Sequence, residues 1–395
     1  MSGTGEVVTG GEPVFTSAVP VRRRPRDRRQ RILAAAAAQF WSLGYHRVGM
    51  ADVAAAVDIA PSALYRHVRG KQELLLAVLD EQLGRLETLV ADPPGDLLDG
   101  LAGLVVERPE FGLLWEREAG HLPDDARRAL RHRLRAVAGV VAARADGRDA
   151  DLRSWAALSV LGSPSHHRFR PDPERHGPLL ADAARAVLTV PVPAATGPAA
   201  TPPRPGVLAP VSRREALLAV ATRLFGERGY PAVGLADIGA AAGIAGPSVY
   251  RHFPTKTDLL LSALHRGDEA LWLGLHHVLA GAADAADALA GLAADYTAFV
   301  ADDPEIVSVL ISQVIHLPEP DREALRRSQR DYLAEWTALV TAARPARPAS
   351  EARVHVHAAL ALVNSLARIH HLAARPGARA RIAALAGAVL SGERP

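Results

Sequence analysis

Apolar residues recur along most of this chain at intervals of three and four, the spacing of one face of an α-helix. From Arg28 to Leu43 the stripe is Ile32, Leu33, Ala36, Phe40 and Leu43; from Arg213 to Arg228 it is Leu217, Leu218, Ala221, Leu224 and Phe225. Gly44 and Gly229 follow directly, where a left-handed C-cap would stop each helix. A short second helix is predicted over 50–57 and 235–242, and a third over 61–68 and 247–253. The break between them is Asp58-Ile59-Ala60 or Gly243-Ile244-Ala245, each beginning with a residue that tolerates positive φ. Two short helices joined by such a turn, behind a longer supporting helix, form the helix-turn-helix pattern, whose last helix meets base edges in the major groove. Strand-like β-branched runs flanked by turn residues are nearly absent, so the expected fold class is all-α.

The pattern occurs twice because the sequence does. Gly44–Leu76 is matched without gaps by Gly229–Leu261, including a Tyr-Arg-His and a lysine in register. Further on, Pro109-Glu110 answers to Pro304-Glu305, and His121-Leu122-Pro123 to His316-Leu317-Pro318. The stretch WAALSVLGS from Trp155 answers to HAALALVNS from His357. A whole unit is therefore duplicated, not only its head. The expected organisation is a disordered segment over 1–21, a first head over 22–73, a first helical regulatory domain over 74–188, a linker over 189–211, a second head over 212–258 and a second regulatory domain over 259–395. The linker is expected to be extended because it is rich in proline and small residues.

The heads resemble the TetR/AcrR family of bacterial regulators. The resemblance rests on Phe40-x-x-x-Gly44-Tyr45, Asp52-Val53-Ala54, Ser62-Ala63-Leu64-Tyr65-Arg66-His67 and Lys71 with Glu73-Leu74-Leu75. Its second-copy counterparts are Phe225, Gly229-Tyr230, Asp237-Ile238, Pro247-Ser248-Val249-Tyr250-Arg251-His252-Phe253 and Lys256 with Asp258-Leu259-Leu260. It implies a three-helix DNA-binding head, a connecting fourth helix, and a helical region that dimerises and binds a small effector whose arrival spreads the heads. Two departures stand out. Val48-Gly49 and Val233-Gly234 replace the Thr or Ser with which the family usually caps the second helix, so a phosphate contact there would need backbone N–H groups. Copy two, with Phe253-Pro254-Thr255 and Gly243, lies nearer the family pattern than copy one, with Val68-Arg69-Gly70 and Asp58.

The residues expected to touch DNA are Ser62, Ala63, Tyr65, Arg66, His67 and Lys71 in the first head, and Pro247, Ser248, Tyr250, Arg251, His252 and Lys256 in the second. Lys71 and Lys256 are the only lysines among 46 basic residues, and they fall at equivalent positions. A compact ammonium preserved twice in an arginine-rich chain suggests a phosphate contact, against the plainer reading of a solvated side chain kept by ancestry. The two tyrosines could bind phosphate through their hydroxyls or pack beneath the third helix. Arg22, Arg23, Arg24, Arg26, Arg28 and Arg29 form a basic arm that would suit a minor groove or equally an ordinary solvated tail. In the regulatory regions Trp115, Trp155, Trp272, Tyr296, His316, His357, Asn364 and His370 are candidate pocket residues, although most such side chains fill helix-packing cores.

Composition narrows the function classes. Without cysteine there are no disulfides, thiolate metal sites or cysteine nucleophiles, and no cofactor is expected. Paired histidines such as His166-His167 and His276-His277 point about 100° apart on a helix, so they do not suggest a metal site. No apolar segment reads as a membrane span or a signal peptide, and a cytoplasmic location is expected. No catalytic motif rises above background, so an enzyme is not expected. The net charge of +3 does not by itself indicate nucleic acid; the clustering of arginine does more. The leading expectation is a ligand-responsive regulator of double-stranded DNA, repressing from an imperfect palindrome as an intramolecular pseudo-dimer, with a hydrophobic or acyl-CoA-like effector. Pairing of two chains is a variant in assembly. The alternative is a ligand- or partner-binding helical regulator in which one or both heads no longer bind DNA.

Overall fold

The computed structural model describes residues 25–392 apart from 146, 148, 168, 170–172 and 195–209. The N-terminal segment 1–21, Arg22–Arg24 of the basic arm and most of the linker lie outside the described residues, as does the side chain of Arg26. In the first half, α1 (Pro25–Leu43), α2 (Met50–Ala56) and α3 (Pro61–Leu64) form a head. From it leads α4 (Lys71–Ala91), followed by α5 (Leu97–Glu107), α6 (Phe111–Glu118), α7 (Asp124–Ala142), α8 (Ala150–Gly162) and α9 (Pro173–Thr189). The second half repeats the order. Its head is α10 (Arg213–Arg228), α11 (Leu235–Ala241) and α12 (Gly246–Val249), followed by α13 (Lys256–Gly281), α14 (Ala285–Asp302), α15 (Pro304–Ser312), α16 (Glu319–Ala343), α17 (Ala349–Arg368), α18 (His370–Ala373) and α19 (Ala378–Ser391). The fold is all-α, with no strand among the described residues.

Each head closes over its apolar stripe. Ile32, Leu33, Ala36 and Phe40 are buried with Val53, Leu64 and Leu75; in the second head Leu217, Leu218, Ala221, Leu224 and Phe225 are buried with Ile238, Val249 and Phe253. Burial of each large side chain contributes about 1.5–3 kcal/mol relative to exposure. Leu43 departs from the expected stripe: it is 41 % exposed, because it faces a cleft between the heads rather than its own core. Gly44 and Gly229 have positive φ (83° and 79°), yet ψ near 150° makes them extended rather than left-handed caps. Their N–H groups still close the helices on Phe40 O (2.9 Å) and Phe225 O (3.0 Å). The turn residues Asp58 and Gly243 do adopt positive φ, 55° and 65°.

The third helices are shorter than the periodicity suggests, ending at Leu64 and Val249. Beyond Leu64 the bonding changes to the tighter i to i−3 type, Arg66 N–H to Ala63 O (3.4 Å) and His67 N–H to Leu64 O (2.9 Å). The fourth helices start differently in the two copies. In copy two, Thr255 and Asp258 form a reciprocal capping box (Asp258 N–H to Thr255 Oγ1, 3.1 Å; Thr255 N–H to Asp258 Oδ2, 2.9 Å). Copy one has Gly70 at the cap, and the Glu73 carboxylate reaches back to the Arg69 N–H instead.

The halves meet through α8 and α9 on one side and α17 and α19 on the other. Ala156, Val160, Ala184 and Val187 share one continuous apolar core with Ala358, Leu362, Leu385 and Val389. The buried Arg381 of α19 pairs with Asp149 just ahead of α8, and Arg375 reaches Asp151 at 2.7 Å. The part-exposed Arg375 pair is worth at most about 1 kcal/mol, and the attraction in the buried Arg381 pair is offset by desolvation, so apolar burial carries this contact.

Candidate nucleic-acid interface and effector cavity

The third helix of each head turns its polar residues outward. Ser62, Tyr65, Arg66 and His67 are exposed, Ala63 is half-buried, and Leu64 alone anchors the turn. In the second head Tyr250 and Arg251 are exposed and Ser248 and His252 half-buried; Arg251 donates to Ser248 Oγ at 3.0 Å. Pro247 is the second residue of that helix, with its side chain outside the described residues. Tyr65 and Tyr250 are 53 % and 58 % exposed, so neither ring packs beneath its helix. At the second helices the Gly49 and Gly234 N–H groups are taken by Asp52 and Asp237, both at 2.8 Å. These two backbone donors are therefore not free for a phosphate.

Lys71 and Lys256 are less exposed than a solvated side chain would be. Each donates to the carbonyl of the tyrosine that follows its head's first helix, Tyr45 O and Tyr230 O, both at 2.9 Å. Each also lies over that tyrosine's ring, 4.5 Å and 4.0 Å from the centroid. A histidine from the body stacks on the same ring: His121 on Tyr45 at 4.4 Å, His316 on Tyr230 at 5.2 Å. Burial holds both histidines below the ordinary range, His316 down to about 4, so their rings are neutral at pH 7. Lysine, tyrosine and histidine thus bind the start of the fourth helix, the head and the body together in each copy. The sequence marked the lysines but not this arrangement; the shared register of Tyr45, His121 and their counterparts was its only trace.

A cavity of about 550 Å³ opens in the first body, between α5, α6, α7 and α8. Leu101, Val105, Phe111, Trp115, Trp155 and Leu158 supply an apolar lining. Arg131 and Arg135, one turn apart on α7, line it as well, and both are exposed. The second half contributes Ser365, Arg368, Ile369, His370 and His371. Glu116 joins the halves at this wall, accepting from Ser365 Oγ at 3.1 Å and pairing with Arg368. On the next residue of α6, Arg117 donates to the carbonyl oxygens of Phe40 and Trp41 at the end of α1, the latter at 2.9 Å. The cavity wall is thereby tied to the first head.

Of the expected pocket residues, Trp115, Trp155 and His370 line this cavity and the other five do not. Trp272 donates to Ser328 Oγ at 2.9 Å and packs edge-on against Tyr332. The Tyr296 hydroxyl donates to Asn364 Oδ1 at 2.9 Å, and burial pushes its pKa up to about 12. His357 stacks on His167 across the halves at 3.9 Å, and His316 faces the cleft between the heads. Arg131 and Arg135 were missed because the run RHRLR reads as a solvated helix face.

The structure thus holds paired helix-turn-helix heads, each on a helical body. Residues 32–78 and 217–263 each match the family described as bacterial regulatory proteins, tetR family, and residues 282–370 match a tetracyclin repressor-like C-terminal domain. The chain thus carries two tetR-family heads in tandem, with a tetracyclin repressor-like C-terminal domain behind the second. It is 39% identical over 67 residues to the HTH-type transcriptional activator FasR of Mycolicibacterium smegmatis, covering 17% of this chain and 31% of that protein. It is 37% identical over 70 residues to the HTH-type transcriptional repressor KstR of Rhodococcus jostii, covering 18% and 33%. The chain therefore spans about a third of the length of these curated relatives. A TetR-family transcriptional regulator from Bordetella parapertussis has 20% identity and a TM-score of 0.41, covering 44% of this chain and 93% of its own. No described helix is long and apolar enough to cross a membrane.

Proposed function

We propose that this protein is a cytoplasmic, ligand-responsive transcriptional repressor whose two heads bind one double-stranded operator as an intramolecular pseudo-dimer. The observation that carries the reading is the pairing of two outward-facing third helices with a body-to-body core made within one chain. Ser62, Tyr65, Arg66 and His67, with Ser248, Tyr250, Arg251 and His252, are the groups offered to phosphates and base edges. Lys71 and Lys256 each spend one of three ammonium donors on a tyrosine carbonyl, leaving two for a phosphate oxygen. Because the heads differ in sequence, the operator is an imperfect palindrome with half-sites about one helical turn apart. The α6 link from the cavity wall to the end of α1 gives an effector a route to the first head.

A second reading, a regulator that acts without DNA, is favoured by one feature: Asp52 and Asp237 put carboxylates where the second helices would face a phosphate. Gel shifts on fragments of the source genome decide between them. The proposal requires salt-sensitive retention of a specific duplex, and absence of any shift at low salt supports the alternative.

A further inference from the structure

The two halves differ at equivalent positions of the repeat. Pro109-Glu110 aligns with Pro304-Glu305, which places Leu101 opposite Tyr296; the match from Trp155 to His357 places Gly162 opposite Asn364. The alternation of buried and half-buried positions agrees along both pairs of helices: Leu97, Leu98, Leu101 and Ala102 are buried, as are Leu292, Ala293, Tyr296 and Thr297. In the first half, Leu101 and Gly162 both line the cavity. In the second, the phenol and amide at those positions hydrogen-bond to each other at 2.9 Å. Trp336 and Tyr332, in contact with Tyr296 or with each other, thicken the same core. A buried phenol bonded to a half-buried amide fills volume that leucine and glycine at the equivalent positions do not.

The open site carries a charge pattern as well. Its lining is mainly apolar, while Arg131 and Arg135 project from adjacent turns of α7 with no ion pair or hydrogen bond to an acidic partner among the described residues. The neighbouring Arg133, by contrast, is held by Asp80 and Glu87. Arg368, the cationic residue from the second half, is engaged by Glu116. Two unengaged guanidinium groups beside an apolar hollow suit a ligand with one anionic end and a hydrocarbon body, since a carboxylate can accept charge-assisted hydrogen bonds from both.

We propose that the chain binds one effector rather than two: an amphiphilic carboxylate held in the first body, its anionic end at Arg131 and Arg135, with the Tyr296–Asn364 pair plugging the second body's counterpart. The second half serves instead as a wall of the first half's site, through Ser365, Arg368 and His370. This rests on the reading of the chain as ligand-responsive, but it is tested without DNA, so a failed gel shift leaves it standing and a failed titration leaves DNA binding standing.

The test is calorimetric titration of the full chain with sodium decanoate, with 1-decanol as the uncharged counterpart. The expected result is saturable binding of one decanoate per chain, weakened about tenfold in Arg131→Ala/Arg135→Ala while decanol binding is unchanged. Gly162→Asn abolishes binding, and the pair Tyr296→Leu with Asn364→Gly raises the stoichiometry to two. Two decanoates per unmodified chain, equal affinity for decanol and decanoate, or no saturable decanoate binding overturns the proposal. The stoichiometry of the unmodified chain keeps the test independent of any variant that fails to fold.

Discussion

Lys256 Nζ lies 2.9 Å from the carbonyl oxygen of Tyr230 and 4.0 Å from the centre of its ring, and Lys71 repeats the relationship on Tyr45 at 2.9 and 4.5 Å. A lysine fixed on both a carbonyl and a ring face arrives at a duplex already ordered, so little side-chain entropy remains to be lost on contact. Replacing Lys256 with methionine keeps the aliphatic stem and removes the charge. DNA affinity should fall for every sequence tested, and the slope of log affinity against log salt should flatten by about 0.9 for the lost phosphate. Tyr45→Phe should change neither, because the lysine uses the backbone oxygen and the ring rather than the hydroxyl. Filter binding across a salt series measures both; an unchanged slope in the Lys256 variant would assign the lysine to head placement alone.

The turn between the second and third helices is a matched experiment within one chain. Asp58 and Gly243 occupy the same position at φ 55° and 65°, a conformation that costs a residue with a Cβ about 1 kcal/mol. Asp58→Gly should therefore raise the stability of the first head by up to about 1 kcal/mol, and Gly243→Ala should lower that of the second by a similar amount. Urea denaturation followed by circular dichroism reads both shifts. Opposite signs are the expected outcome, and equal signs would contradict it.

Acid should loosen the body. His355 is 5 % exposed, its Nδ1 is 2.7 Å from Val389 O, and burial lowers its pKa to about 4. A histidine kept neutral in the folded chain and ordinary in the unfolded one contributes its full stability above about pH 6.5. It loses roughly 1.4 kcal/mol per pH unit as the unfolded chain takes up protons, down to the folded value. His355→Asn retains an amide donor for the carbonyl and does not titrate. The melting temperature of this variant should fall less steeply between pH 6.5 and 4 than that of the parent chain; parallel curves would remove His355 as a cause.

The heads were legible in the sequence because local rules govern them: an apolar stripe, a positive-φ turn residue and a glycine after the first helix. Leu43 escaped these rules because its environment is set by the other half of the chain; the extended ψ of Gly44 and Gly229, the same in both copies, belongs to the repeated head itself. The third helices ended early for a reason periodicity does not carry, the change of hydrogen-bond type after Leu64. Pocket residues were least legible. Tyr296 and Asn364 were singled out as polar groups in an apolar region, and the structure shows them satisfying each other. The informative signal was the smaller, non-polar residues at the equivalent positions of the other copy, Leu101 and Gly162, which have no chemistry to attract notice.

The central claim is that one chain supplies both heads for one operator. Sedimentation velocity of the protein with a duplex selected by gel shift, at matched concentrations and low salt, tests it most directly. The account predicts a free protein at the monomer mass of 41.8 kDa and a complex containing one chain per duplex. A complex containing two chains, or a duplex that sediments alone in the presence of folded protein, would contradict it.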